Sequence, residues 1–359
     1  MKIAVLGGGN GAYAAAADLS DAGHDVRFWR RDRDALRPIL ESGSIVLRDF
    51  RGVREVRIAH PAADIGEAVR GADLIVAPVP AFAQHDLAVA LAPHLSDGQA
   101  IFLPPGTFGS YLMTKVLREQ GCKADIAIAE TGTLPWLTRK RGPNEVAITT
   151  RATRLPTGVF PARSSERALA IISEAFPGAI EPVEDALSGA LMNAGPIIHP
   201  PLIVMNVGPI EHFERWDIHK EGTQPSIRRV HEALDSERIA IRAALGYQPP
   251  HFPLADHYNT SNWMYGKLAH DKLVDSGDWH EHLDLKSHRY MREDVALGLA
   301  LIVSLGEWLG VPCPVAAGLL AIASAASGED FRQSGRTLTT LGLSGMTIDG
   351  MRAMLREGL

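Results

Sequence analysis

Apolar residues come in short blocks through the first half of the chain and at helical spacing through the second. Lys2–Leu6 is an apolar run closed by Gly7-Gly8-Gly9-Asn10-Gly11-Ala12. An alanine-rich stretch carries on to about Ala22, Gly23 stops it, and Asp25–Trp29 reads as a second strand. Further apolar blocks stand at Ala72–Val79, Ala100–Leu103 and Ile126–Ala129, with a helix over about Gln84–Leu95. Short buried runs separated by helical stretches predict a parallel sheet with crossover helices. From about Ala186 the β pattern stops. Ser226–Leu245 lines Ile227, Val230, Leu234, Ile241 and Leu245 along one helical face, and Gly246 supplies a stop. Val295–Leu309 and Val315–Ala326 read as two more helices, split by Gly310-Val311-Pro312-Cys313-Pro314. The expected architecture is an α/β domain over residues 1–183 and an all-α domain over residues 184–359.

The first turn is chemically specific. Gly7, Gly9 and Ala12 are in the register G-x-G-x-x-A between a strand and a helix. The first glycine permits a tight turn, the second lets a pyrophosphate approach the backbone, and the alanine keeps helix and sheet close. The free N–H groups at the helix start then face the anion. Gly7, Gly9, Asn10, Gly11 and Ala12 are therefore the expected dinucleotide loop of a Rossmann domain. An NAD site usually closes its second strand with an acidic residue for the ribose hydroxyls. Here the chain reads Trp29-Arg30-Arg31-Asp32-Arg33. A guanidinium suits a 2′-phosphate, so Arg30 and Arg31 point to NADP(H) over NAD(H). Asp32 leaves a route to the hydroxyls. Ligands of open parallel sheets bind beyond the carboxyl ends of the strands. Pro80, Gly106, Glu130 and Thr131 hold such positions, so cofactor and substrate are expected near them.

Two polar features interrupt the second half. His199 stands among apolar residues and prolines in Asn193-Ala-Gly-Pro-Ile-Ile-His-Pro-Pro201. It suits either a packed core histidine or a proton carrier working near neutral pH. The other is His288-Arg289-Tyr290-Met291-Arg292-Glu293-Asp294, directly before an apolar helix. Asp294 reads either as a helix-start carboxylate or as the partner that orients His199. In the second case Arg289 would clamp a substrate carboxylate. His280 and His282 form an H-x-H without a convincing third ligand, and no metal is expected.

Composition narrows the class. The chain has 359 residues, 46% hydrophobic and 22% charged, with formal net charge −6. That balance gives no electrostatic reason for nucleic acid or an anionic membrane. Cys122 and Cys313 are far apart in sequence and form no disulfide framework. The apolar runs Val295–Leu305 and Val315–Ser327 are short for a bilayer span. No signal-peptide pattern precedes the first strand. A cytoplasmic protein acting on small molecules is expected, dimeric through its Ala/Gly-rich helices.

Taken together, these residues resemble the octopine/nopaline (opine) dehydrogenase family. The likeness rests on Gly7–Gly11, the Glu130-Thr131 pair, His199-Pro200, Asp235–Ala240, Arg289-Tyr290-x-x-Glu293-Asp294, Gly310–Pro314 and Gly335–Leu338. It runs over nearly the whole chain and looks most like the bacterial N-(1-D-carboxyethyl)-L-norvaline dehydrogenase type. The resemblance implies a Rossmann domain followed by a 6-phosphogluconate-dehydrogenase-like helical domain. It implies reductive condensation of an α-keto acid with an amino acid or amine through an imine, driven by NAD(P)H. In that scheme His199 is the general acid/base, Asp294 its partner and Arg289 the carboxylate clamp. Asn193, Glu130 and Thr131 are further substrate contacts. Two positions depart from the bacterial type: Gly195 stands for an Asn, implying a different amine, and Arg30 stands for an acidic residue.

Two other classes share part of the pattern. Ketopantoate reductases and glycerol-3-phosphate dehydrogenases have the same plan but rely on a lysine. Lys220, Lys267, Lys272 and Lys286 lack an apolar setting for proton transfer. A non-catalytic NADP(H)-binding protein would account for Gly7–Ala12 and Arg30, but not for His199 with Asp294.

Overall fold

The computed structural model describes residues 1–259, 262–266 and 280–359. It divides into two compact units, Met1–Ala190 with Arg352–Leu359, and Leu191–Met351. The division therefore falls after Ala190, where the sequence suggested Val183, and the chain's end joins the first unit. The Ala186–Ala190 helix stays with the sheet because glycines admit it. A Cβ on Gly158 would overlap the Asp185 carbonyl, and one on Gly189 would lie 2.7 Å from the Glu130 carbonyl. At the C-terminus, Arg163 Nε donates to the Glu357 carbonyl at 2.9 Å.

The first unit is built on an eight-stranded sheet. Its spatial order is Ile180–Pro182, Leu155–Phe160, Ala127–Thr131, Ala100–Leu103, Leu74–Val76, Lys2–Leu6, Asp25–Trp29 and His60–Pro61. All neighbours run parallel except Leu155–Phe160 against Ala127–Thr131. Strand order reverses between Lys2–Leu6 and Leu74–Val76, the switch point at which doubly wound sheets take ligands. The strand expected over Ala72–Val79 is confined to Leu74–Val76, and the helix expected to reach Leu95 ends at Leu91.

A second, four-stranded sheet was not read from the sequence. It runs Gly52–Arg57, Ser44–Asp49, Glu145–Arg151, Trp136–Gly142. Ion pairs lock it to the Asn10–Asp21 helix. The Asp49 side chain is fully buried and is held by Arg54 at 2.8 Å and Arg151 at 2.6 Å. Arg151 also grips Asp18 at 2.6 Å, Arg54 grips Asp21 at 2.7 Å, and the Trp136 indole donates to Asp18 at 2.7 Å. The Arg54 hydrogen bond, joined by Arg151, holds the Asp49 carboxyl far below the usual carboxylate range. A depressed folded pKa stabilises the fold fully above the unfolded value of about 4. That stabilisation is lost as pH falls further, toward the folded value. Asp49→Ala should cost roughly 2 kcal/mol at neutral pH, between a surface pair and a fully buried one. Urea unfolding should show that loss at pH 7 and a smaller difference from wild type near pH 3.

Among its described residues the second unit is helical, apart from a short ladder between Trp216–Asp217 and His280–Glu281 that the sequence does not signal. The longest helix among the described residues, Pro225–Leu245, ends on Gly246 in the left-handed conformation. Its Asp235–Arg238 segment is structural. Arg238 bonds Asp235 and the carbonyls of Leu191, His251 and Phe252, and Asp235 accepts from Leu254 N at 2.7 Å. Glu237 accepts from Val315 N at 2.7 Å and Ala316 N at 2.9 Å, satisfying free N–H groups at the start of the Pro314–Ser327 helix. Where a single helix from Val295 was expected, residues Tyr290–Leu299 wind as a π-helix and Ala300–Leu309 continue as an α-helix. Wide turns of this kind concentrate at functional sites. Among the described residues no helix is long and apolar enough to cross a membrane.

Candidate active site

In the first unit the glycine loop has the predicted build. Gly7 has φ +133°, a conformation suited to glycine. Gly9 precedes the Asn10–Asp21 helix, which has no side-chain cap and no acidic residue in its first turn. A Cβ on Gly9 would meet nothing within 4 Å, so this backbone is open to a ligand. Gly11 has a different reason to be glycine: its Cβ would lie 2.7 Å from Leu134 and 3.1 Å from Pro78. Ala12 is buried in the core. The Asn10 side chain accepts from the Lys140 N–H at 3.0 Å, tying the second sheet to the helix start.

Arg30 lies over the loop. Its guanidinium carbon is 3.0 Å from the place a Gly8 Cβ would take. Nη1 donates to the Tyr13 hydroxyl at 3.0 Å and Nη2 is 3.6 Å from Asp32. The Arg30 Nε is buried without a hydrogen-bond partner. An open Gly9 backbone and this unsatisfied donor fit a phosphate-bearing dinucleotide. Arg31 is not gathered there; it is 85% exposed, 3.9 Å from Asp86. Pro80 opens the Ala81–Ala83 turn.

The strand-end residues expected near substrate serve the fold. Glu130 is fully buried, and its carboxylate accepts from Phe108 N at 2.7 Å, Ser110 N at 3.1 Å and the Ser110 hydroxyl. Gly106 is glycine because a Cβ would overlap this same Glu130 side chain, and its carbonyl accepts from Gln84 Nε2 at 2.8 Å. The buried Thr131 hydroxyl donates to the Pro156 carbonyl at 2.8 Å. A buried carboxylate needs such donors, so these side chains position a loop.

The second unit brings the two polar segments together. His199 lies on the Gly195–Val204 helix, which forms although Pro200 and Pro201 stand inside it. His199 Nδ1 is 2.8 Å from Asp294 Oδ2. Asp294 is thus within the π-helix and paired, not a helix cap. Two glycines make the crossing. A Cβ on Gly195 would overlap Asp294 Oδ1, and one on Gly298 would overlap the Pro196 ring. Gly195 therefore owes its identity in this packing to Asp294. Asn193 Oδ1 accepts from Gly195 N at 3.0 Å, so this side chain shapes the helix start. The Tyr290 ring stacks on His199 with centroids 3.6 Å apart and planes 13° apart. His231, buried, donates Nε2–H to the Ile198 carbonyl at 2.9 Å and is pushed down to about 4 by burial. Gly335 packs where a Cβ would overlap the Ala296 carbonyl, and Arg336 N donates to that carbonyl at 3.0 Å. The roles of Tyr290, His231, Gly298 and Gly335 were not read from spacing.

Burial works against charge on both members of the pair. It drives His199 well below its ordinary value, with the Arg289 cation adding to the effect. It pushes Asp294 up to about 7 against the pull of Arg289. The two titrations are coupled, so a proton is gained or lost by the pair and not by either side chain alone. With Asp294 ionised, the proton of their bond sits on Nδ1 and Nε2 is left to exchange protons. Arg289 is half-exposed, 3.8 Å from Glu293. Among the described residues no group of three or more His, Cys, Asp or Glu is arranged to hold a metal. Lys220 and Lys286 are exposed, and Lys267 and Lys272 lie outside the described residues.

A doubly wound sheet with a glycine loop, followed by a helical unit holding a buried His–Asp pair, has the build of an NAD(P)-dependent oxidoreductase. Residues 182–327 match the family model for the α-helical domain of NAD/NADP octopine/nopaline dehydrogenase. Residues 2–125 match that for the N-terminus of NAD-dependent glycerol-3-phosphate dehydrogenase. An opine dehydrogenase of Arthrobacter sp. (strain 1C) is 32% identical over 357 residues, covering 98% of this chain and 97% of the relative. The chain belongs to the opine dehydrogenase family, whose enzymes are NAD(P)-dependent and act on CH–NH bonds. Its fold matches octopine dehydrogenase solved with NADH and L-arginine, with TM-score 0.74 and 19% identity over 100% of this chain and 98% of that one. It also matches NADP+-bound yersinopine dehydrogenase, with TM-score 0.69 and 16% identity over 99% and 98%. Similarity to an opine dehydrogenase over the full length sets the ketoreductase and sensor readings aside.

Proposed function

We propose that His199 and Asp294 are the proton-transfer pair of an opine dehydrogenase that uses NADPH in preference to NADH. It joins an α-keto acid to an amino acid or amine. The observation that carries this reading is the buried 2.8 Å bond between His199 Nδ1 and Asp294 Oδ2. Bound NADPH supplies the hydride that reduces the imine. Gly7, Gly9, Gly11 and Arg30 hold the cofactor. His199 Nε2 gives a proton as water leaves the condensing substrates and takes one when the reaction runs backwards. Asp294 fixes the ring and balances the charge that forms on it. Arg289, half-exposed, binds a substrate carboxylate.

The substrate class is supported by octopine dehydrogenase, solved with NADH and L-arginine and also with pyruvate. The NADPH preference is supported by Arg30 at the position of the ribose-binding acid. Two free cysteines agree with a cytoplasmic setting. The homodimer belongs to the same proposal, with the Ala/Gly-rich Pro314–Ser327 helix as its face.

The test is an NADPH-consumption screen of keto acids crossed with amines and amino acids. Oxidation is expected only when both are present. Consumption with a keto acid alone would mark a ketoreductase instead. kcat/KM should be higher with NADPH than NADH, and Arg30→Ala should collapse that ratio toward one; equal efficiencies in the wild type remove the NADPH preference.

A further inference from the structure

We propose that Lys140, from the second sheet, is the partner of Arg30 in binding the 2′-phosphate of NADP(H). The inference rests on the NADPH reading of Arg30. The Tyr13 ring gathers two cations. Lys140 Nζ is 3.7 Å from the ring centroid, and the Arg30 guanidinium carbon is 6.0 Å from it. Arg30 also bonds the Tyr13 hydroxyl at 3.0 Å. The Lys140 backbone is fixed to the helix start, because its N–H bonds Asn10 Oδ1 at 3.0 Å. Lys140 is thus registered against the glycine loop and against Arg30 at once.

Two cations on one ring repel each other unless an anion joins them. The repulsion registers on Lys140, whose pKa is lowered by burial and by Arg30. Asp32 reaches Arg30 at 3.6 Å, but it is 60% exposed and is a single, solvated charge. The Arg30 Nε remains buried and unbonded. A phosphomonoester carries nearly two charges at neutral pH and three acceptor oxygens. It would satisfy that donor and neutralise both cations, whereas a ribose hydroxyl can accept from the donor but leaves both charges in place. Nothing in the strand sequence Trp136–Gly142 marks Lys140 for this task.

The test is direct binding to the full-length protein, by calorimetry, of NADPH, NADH, 2′,5′-ADP and 5′-AMP. Lys140→Met keeps an apolar stem over Tyr13 and leaves the backbone bond to Asn10 in place. Loss of one charge-assisted contact should weaken NADPH and 2′,5′-ADP about tenfold. NADH and 5′-AMP should be unchanged, and Lys140→Arg should restore most of the NADPH affinity. Equal weakening of NADPH and NADH would overturn the assignment, since the lysine would then serve the shared diphosphate or the loop itself. A wild type that binds NADPH no better than NADH sinks the Arg30 reading, and this one with it. A wild-type preference that Arg30→Ala abolishes and Lys140→Met leaves intact removes Lys140 alone.

Discussion

Replacing His199 with alanine should lower kcat by roughly 10²–10⁴ while cofactor affinity stays unchanged. The groups proposed to hold the dinucleotide belong to Met1–Ala190 and His199 to Leu191–Met351, so the variant separates chemistry from cofactor binding. The size of the loss follows from what the ring does. Its Nδ1 is committed to Asp294 at 2.8 Å, one face is covered by Tyr290, and the preceding carbonyl is pinned by His231. An imidazole held this way is pre-oriented and loses little freedom on reaching the transition state. Alanine also leaves Asp294 buried without its partner, so the carboxyl will hold its proton and cannot substitute as a base.

Because the two act as one unit, Asp294→Asn combined with His199→Ala should cost little more than His199→Ala alone. Asp294→Asn by itself keeps the shape and removes the negative charge, which lowers the His199 pKa further. In the oxidative direction the ring must be neutral to take a proton. The acid limb of that pH profile should therefore move to lower pH. Near-normal turnover in the His199 variant would remove the proton-transfer role. Stopped-flow turnover, nucleotide titration and circular dichroism on the same preparations check chemistry, affinity and folding separately.

The features legible in the sequence are those whose causes are local. Gly7, Gly9 and Ala12 announce a loop because a strand and a helix flank them within a dozen residues. The stops at Gly246 and Gly310 follow from the left-handed conformation each adopts. The pairing of His199 with Asp294 spans 95 positions, and the residue types alone left it one reading among others. The second sheet is hidden in the sequence because its strands are rich in charge and its two hairpins are far apart in the chain, joined by Ser44–Asp49 lying parallel to Glu145–Arg151. Glu130 and Thr131 show the limit of arguing from strand ends. That position fixes where a side chain starts, but Glu130 is turned inward by donors on Phe108 and Ser110 that spacing does not reveal.

Gly195→Ala should be nearly as damaging, against what local propensity says. Within a helix, alanine is favoured over glycine by about 1 kcal/mol, and Gly195 opens the helix that carries His199. Local energetics therefore predict a neutral or stabilised protein. The packing predicts otherwise for activity. The new Cβ would overlap Asp294 Oδ1 and lie 3.1 Å from its Cγ, and Asp294 is only 4% exposed. The carboxylate has little room to retreat except by abandoning its bond to His199. A displacement of roughly 1 Å at a positioning group can cost about 10²-fold in rate. The expected signature is a kcat loss of that order for every amine donor, with thermal stability within a few degrees of wild type. If Gly195 instead selected the substrate, alanine would reorder the amines and spare kcat for the best of them. A panel of amine donors at saturating keto acid separates the two outcomes, and a reordered panel with intact kcat would return Gly195 to the substrate pocket.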